Sequence, residues 1–92
     1  MSYKAFEKNK KYKCPCCGFY TFEERPNGNY DICPVCFWED DPIQLKDQLY
    51  AGGANKISLV QARENYIKFG ACSEEMIPYV RKPRKDELNG ID

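Results

Sequence analysis

The sequence predicts a small α+β domain in which a β-hairpin between two cysteine pairs packs against helices that follow it. Three observations lead to this fold class. Hydrophobic residues make up 42% of the 92 residues and aromatic residues 14%, which is enough to fill the core of one small globular domain. Two Cys-x-x-Cys pairs flank a segment with the pattern of a hairpin, and apolar residues recur at helical spacing in the second half. We therefore expect residues 1–92 to form a single domain.

Four of the six cysteines have the spacing of a metal site. Cys14 and Cys17 form one pair, Cys33 and Cys36 form the other, and fifteen residues separate the two pairs. This spacing is typical of a structural zinc site, in which four thiolates surround the ion as a tetrahedron. We therefore predict one structural Zn²⁺ bound by these four residues. Four thiolates in this arrangement also accept iron.

The fifteen residues between the pairs predict the hairpin. A strand over residues 19–24 leads to a turn centred on Asn27-Gly28, and a second strand over residues 30–33 returns to the second cysteine pair. Two cysteine turns joined by a hairpin form a zinc-ribbon or rubredoxin-like unit, which we place at residues 12–38. The side chains expected to share one face of this hairpin are Tyr20, Phe22, Tyr30 and Ile32.

The sequence of residues 39–83 predicts the helical part of the domain. Asp41 caps a short helix that has Pro42 at its first position. Ser58 caps a longer helix that ends at Gly70, and apolar residues recur at helical spacing between these two positions. The side chains expected on the solvent side of the longer helix are Arg63, Glu64 and Lys68.

Two further motifs resemble ligand sites, but their patterns favour structural roles. The three carboxylates of residues 39–41 lack the alternating spacing of a calcium-binding loop. The loop containing Gly52-Gly53 lacks the glycine patterns that bind nucleotide phosphates. We expect Trp38 to pack the zinc unit against the helices, and residues 84–92 to form a polar tail.

Two cysteines lie outside the proposed ligand set. Cys16 stands between two of the ligands and is a candidate reactive or redox-active thiol. The negative charge of the neighbouring metal centre argues against this role, because it disfavours the thiolate form of Cys16, which is the reactive one. Cys72 is expected to be a small buried residue between helices. The sequence leaves open a disulfide between Cys16 and Cys72, because spacing does not determine pairing.

The composition excludes several classes of function. Histidine is absent, which excludes Ser-His-Asp and Cys-His catalysis as well as histidine metal ligands. No stretch approaches the ~20 apolar residues of a membrane-spanning helix, and the start of the chain lacks the apolar segment of a secretory signal. We therefore expect a cytoplasmic protein without a membrane partner. In that reducing compartment, clustered cysteines bind metal more often than they form disulfides.

The residues quoted above resemble the cysteine-rich CPCC family, a group of small, mostly bacterial domains. The resemblance covers roughly residues 12–83 and implies a bacterial cytoplasmic origin and a zinc-ribbon-like start. It assigns no substrate. It rests on Cys14-Pro15-Cys16-Cys17-Gly18 and on the run from Cys33 to Pro42, and it continues through residues 50–55, 58–59, 63–66 and 69–71.

A closed metal site and a neutral charge favour a binding module. Four thiolates leave no coordination position for a substrate, so we expect a zinc-stabilised module with a protein partner and no enzymatic activity. A nucleic-acid-binding zinc ribbon is the alternative, because residues 10–13 interleave three lysines with a tyrosine. Lys plus Arg and Asp plus Glu both number 14, and this zero net charge argues against it. A thiol-redox protein that uses Cys16 is a further alternative.

Overall fold

The computed structural model describes residues 11–88, which form a small α+β fold as the sequence predicted. Two short antiparallel strands come first, and two α-helices and two 3₁₀ helices follow. Within the described residues, no helix is both long and apolar enough to cross a membrane. In chain order the elements are β1 (Tyr12–Lys13), β2 (Tyr20–Phe22), α1 (Pro42–Lys46), α2 (Leu59–Phe69), a first 3₁₀ helix (Glu74–Tyr79) and a second 3₁₀ helix (Lys85–Glu87).

The predicted hairpin over residues 19–33 is wrong, because each cysteine pair lies in the turn of its own hairpin. Strand β2 pairs with β1, which precedes the first cysteine pair. The returning segment pairs instead with the residues after the second cysteine pair. Ile32 forms an antiparallel bridge with Glu39, and the Cys33 N–H donates to the Trp38 carbonyl at 2.9 Å.

This pairing also changes which side chains share a face. Phe22 is buried, whereas Tyr30 is 52% exposed and Ile32 is 46% exposed. Tyr30 and Ile32 therefore do not join Phe22 in the core, as the predicted hairpin face required.

The carboxylate of Asp40 explains why the Asn-Gly turn does not close the predicted hairpin. Asp40 Oδ2 accepts the backbone N–H groups of Asn27, Gly28 and Asn29 at 3.0, 2.9 and 3.2 Å. Because Asp40 is only 1% exposed, these bonds compensate for much of the cost of burying its charge. The turn residues thus wrap around a carboxylate from the next hairpin, and Tyr30 follows them with a left-handed φ of 65°.

Replacing Gly28 by alanine is expected to destabilise the protein more than replacing Gly52 does. Both glycines have left-handed backbones, with φ of 99° and 96°, and alanine there costs about 1–2 kcal/mol. A methyl group at Gly28 would also overlap Pro42, while one at Gly52 would meet nothing within 4 Å. Overpacking adds about 1–3 kcal/mol, which chemical unfolding of the two variants would measure. Equal losses would show that the contact with Pro42 is unimportant.

Both predicted helix caps are confirmed. Asp41 Oδ1 accepts the backbone N–H groups of Ile43 and Gln44 at 2.7 and 3.2 Å, which caps α1. Ser58 Oγ caps α2 by accepting the N–H of its third residue at 3.1 Å. Gly70 ends α2 with a left-handed φ of 75°.

The core lies where the cysteine turns pack against α2. Trp38 is 1% exposed, as predicted for a residue that joins the two halves of the domain. From α2, Leu59 and Ala62 are fully buried, whereas Ile67 is 85% exposed. The other fully buried or nearly buried members of this core are Phe22, Val35 and the cysteines Cys14, Cys16, Cys33, Cys36 and Cys72.

The described part of the predicted polar tail is structured. Arg81 forms two hydrogen bonds with the Glu87 carboxylate, at 2.9 and 2.8 Å, and the Arg84 backbone N–H donates to Glu87 at 2.7 Å. Glu87 is only 3% exposed. Residues 89–92 lie outside the described residues, and the division of the chain at residues 38 and 83 stays a prediction.

Replacing Glu87 by glutamine is expected to lower stability in a pH-dependent way. Hydrogen bonding to Arg81 lowers the pKa of Glu87 in the folded protein, so the pair stabilises the fold fully only above the unfolded-state pKa of about 4.3. The stability gap between the wild-type protein and Glu87→Gln should be largest above about pH 5 and should shrink as pH falls below about 4. Thermal unfolding of both proteins across this range measures it. A gap independent of pH would contradict the ionic origin of the contact.

Candidate metal centre

The structure brings the four predicted ligand residues together. The Sγ atoms of Cys14, Cys17, Cys33 and Cys36 all lie within 4.8 Å of one another. Cys14 Sγ and Cys36 Sγ are 3.6 Å apart, and Cys17 Sγ and Cys33 Sγ are 3.8 Å apart. A metal–sulfur distance of ~2.3 Å in a regular tetrahedron requires sulfur atoms about 3.8 Å apart. The donor set and its spacing therefore fit one tetrahedral ion.

Two turns with the same backbone pattern position these sulfur atoms. In the first turn, the Gly18 N–H donates to the Cys14 carbonyl at 2.9 Å, and in the second the Phe37 N–H donates to the Cys33 carbonyl at 2.8 Å. Gly18 and Phe37 both have left-handed backbones, with φ of 83° and 71°. A bulky residue rarely adopts this conformation. At Phe37 it is accompanied by ring contact with Tyr79, whose centroid lies 5.5 Å away.

Hydrogen-bond donors point at the sulfur atoms from both turns. The Cys16 N–H donates to Cys14 Sγ at 3.4 Å, and the Val35 N–H donates to Cys33 Sγ at the same distance. The Thr21 hydroxyl forms a 3.1 Å hydrogen bond with Cys33 Sγ. Such donors offset the negative charge that four thiolates carry. No sequence motif indicated Thr21, because its contact depends on the pairing of β2 with β1.

Hydrogen bonds among the four cysteine side chains shift their pKa values in different directions. Hydrogen bonds from Cys14, Cys17 and Cys36 lower the pKa of Cys33. Hydrogen bonding with Cys17 and Cys33 raises the pKa of Cys14, and hydrogen bonding with Cys14 and Cys16 raises that of Cys36. The pKa values of these thiols therefore depend on one another. A metal ion must displace the remaining protons when it binds, so its affinity falls with decreasing pH.

The comparison with protein families agrees with this geometry. The family model described as cysteine-rich CPCC matches residues 12–87. The chain belongs to the cysteine-rich CPCC family. A comparison with curated proteins finds no match. The family match ends at Glu87, so it includes the buried carboxylate beyond the span predicted from sequence.

In this CPCC domain, the helical half holds both cysteine turns. The Arg63 Nε donates to the Pro15 carbonyl in the first turn at 2.9 Å. The Cys72 N–H donates to the Cys36 carbonyl in the second turn at 2.7 Å. Arg63 was predicted to lie on the solvent side of α2, and this placement is wrong. Its guanidinium contacts the first cysteine turn because α2 lies directly against that turn.

The two further thiols of the CPCC domain are buried and free. Cys16 is 7% exposed, Cys72 is 3% exposed, and all six cysteines are unpaired. The disulfide that the sequence left open is therefore not formed. Burial, followed by the charge of Cys16, raises the pKa of Cys72 to about 12, so this thiol stays protonated at neutral pH. The redox role proposed for Cys16 stays a prediction.

A buried hydrogen-bond cluster around Gln44 explains the acidic run and the glycine loop. Gln44 Nε2 donates to the carbonyl oxygens of Tyr50, Asn55 and Ile57 at 3.0, 3.1 and 2.9 Å. Gln44 Oε1 accepts the Asn55 backbone N–H at 3.1 Å and its side-chain amide at 2.9 Å. The Ala54 N–H donates to the Asp41 carboxylate at 2.8 Å. These motifs thus bind each other, in agreement with the structural roles that the sequence favoured.

Proposed function

We propose that this CPCC chain is a cytoplasmic binding module that one structural Zn²⁺ ion stabilises and that binds another protein. The observation that carries the proposal is the approach of four cysteine Sγ atoms to within 4.8 Å of one another. Cys14, Cys33 and Cys36 are nearly or fully buried and Cys17 is half-buried, as expected for an ion that holds a fold together. Six free thiols are typical of a reducing compartment.

The donor set supports a structural role over a catalytic one. Four thiolates fill the tetrahedron of a zinc ion, so no position remains for water or substrate. When bound, the ion would link the two cysteine turns directly, each of which is part of its own short hairpin. Iron fits the same ligands, and the identity of the metal is therefore part of the test.

Exposed apolar side chains support a protein partner. Phe69 is 39% exposed and lies beside Ile57 and Met76 at the surface, and large exposed apolar groups favour protein contacts where they cluster. Two of the three lysines that suggested nucleic acid have other contacts, and the third, Lys10, lies outside the described residues. Lys11 forms a 2.6 Å ion pair with Glu23, and Lys13 lies over the Tyr20 ring at 5.8 Å.

Native mass spectrometry of untagged protein, purified gently and without added metal, tests the proposal. We expect one zinc ion per chain, six reduced thiols and a bound protein. A chain that stays folded after exhaustive chelation would contradict the structural role of the metal. A gel shift with steep salt dependence, in the absence of any bound protein, would favour the nucleic-acid alternative.

A further inference from the structure

A surface groove lies between α2 and the first 3₁₀ helix, outside the metal centre. Its volume is about 410 Å³, within the ~300–1,000 Å³ of known ligand sites. It is lined by the apolar side chains of Ile57, Phe69 and Met76, here called its floor, and by the exposed charged side chains of Lys56, Glu74 and Glu75, here called its rim. We call this feature the α2 groove.

The floor of the α2 groove offers apolar contacts rather than polar ones. Its one amide, Asn65, already donates to the Cys72 carbonyl at 3.0 Å and accepts from Gln61 at 2.9 Å. Met76 adds a flexible, polarisable side chain of the kind that adapts to varied apolar partners. An occupant must therefore bring apolar side chains to the floor.

The groove is open, which favours a segment of polypeptide over an enclosed small molecule. Phe69 is 39% exposed, and the three charged residues of the rim are also exposed. Small-molecule sites bury about 70–90% of the ligand surface, which a groove with so exposed a lining does not do.

The rim gives the groove a negative charge. Lys56 and Glu75 are 3.7 Å apart, with side chains 86% and 69% exposed, and an exposed pair of this kind contributes little stability. Among residues 11–88, Glu74 forms no ion pair. One lysine against two glutamates leaves a net negative rim, which attracts a basic partner.

The wall of the groove is connected to the metal centre. Ser73 lines the groove, and the preceding residue, Cys72, donates its N–H to the Cys36 carbonyl at 2.7 Å. The Cys72 carbonyl also accepts a hydrogen bond from the side-chain amide of Asn65, which lines the groove from α2. The second cysteine turn, which holds two of the four clustered sulfur atoms, therefore contacts the segment that leads into the groove.

We propose that the α2 groove binds a segment of a partner protein in which apolar side chains stand beside Arg or Lys, and that it does so only when the metal site is filled. This inference rests on the proposed function and assigns its binding surface. The apolar floor supplies affinity, and the negative rim supplies the preference for a basic partner. The link from Cys72 to Cys36 supplies the dependence on metal.

Selection of short random peptides displayed on phage against the metal-loaded full chain tests the groove. We expect the enriched peptides to combine apolar residues with Arg or Lys. A synthetic peptide of the enriched sequence should bind the Phe69→Glu variant at least about tenfold (~1.4 kcal/mol) more weakly than the wild type. The matched control is Ile67→Glu, since Ile67 lies on the same helix, is 85% exposed and does not line the groove; it should bind normally.

A charge variant keeps the test valid if Phe69→Glu alters the fold. Glu74→Lys should weaken binding of the basic peptide, whereas Glu64→Lys, which changes the net charge equally from an exposed position outside the groove, should not. Metal content and amide spectra of each variant report its folding. Binding that survives removal of the metal would overturn the metal dependence.

The outcomes separate the groove from the wider proposal. Peptides that bind Phe69→Glu and Glu74→Lys as tightly as they bind the wild type would overturn the groove and leave a protein-binding module with another surface. Enrichment of peptides without basic residues would overturn the role of the rim. A chain that carries no metal in native mass spectrometry, yet folds, would overturn the proposed function itself.

Discussion

Replacing Cys33 by serine is expected to abolish metal binding and leave the chain largely unfolded. Cys33 is fully buried, its Sγ lies 3.8 Å from Cys17 Sγ, and it accepts hydrogen bonds from Val35 and Thr21. Metal binding contributes about 10–16 kcal/mol in small zinc domains, which equals or exceeds the ~5–15 kcal/mol stability of a typical domain. The two strands hold only two and three residues and cannot replace it.

Metal content and far-ultraviolet circular dichroism measure this loss. The matched control is Cys72→Ala, which removes a buried thiol outside the ligand cluster. It should keep its metal and lose about 1–2 kcal/mol, the usual range for a small core truncation. A folded, metal-containing Cys33→Ser protein would show that the four-sulfur cluster is not what holds this domain together.

Replacing Gln44 by leucine is expected to destabilise the protein by about 3 kcal/mol or more without removing the metal ligands. The change leaves three backbone carbonyls without their donor, and Asn55 without the acceptor for its backbone N–H and side-chain amide. Each buried polar group left without a partner costs about 1–3 kcal/mol. Rearrangement of the glycine loop would recover part of this loss, which is why the expected value lies below the sum.

Urea unfolding of the metal-loaded protein measures the effect of Gln44→Leu. Gln61→Leu is the matched control, because Gln61 is exposed on α2 and, among residues 11–88, its side-chain amide hydrogen-bonds only to Asn65. That variant should change stability by about 0.5 kcal/mol or less. Similar losses in the two variants would mean that the buried cluster is not important for the fold.

Local patterns predicted the parts of this structure that depend on neighbouring residues. Cysteine spacing predicted which four sulfur atoms lie together, because two sulfur atoms three residues apart can approach one ion around a tight turn. Asp41 and Ser58 identified the helix starts, since a cap satisfies N–H groups only two or three residues away. Each of these interactions involves residues only a few positions apart, so it can be predicted without knowledge of the tertiary structure.

Contacts between distant segments account for what the sequence did not predict. The strand after the first cysteine turn pairs with β1 because the Asn-Gly segment is bound by Asp40, which follows the second turn. The sequence gives Arg63 and Glu87 the character of surface charges, yet each has a hydrogen-bond partner that only the tertiary structure provides. The residues next to a charged side chain in the sequence do not indicate whether it will have such a partner, and most charged side chains are exposed.

The Arg81 N–H donates to the Pro34 carbonyl at 3.3 Å, so a segment from late in the described chain packs against the second cysteine turn. A ribosome makes the chain from its amino end, so all four ligands emerge once Cys36 does, well before α2 and the segment that contains Arg81. The nascent chain can capture its ion at that stage. The segment that contains Arg81 then packs over the second turn, so an ion captured earlier would be enclosed by a part of the chain made later.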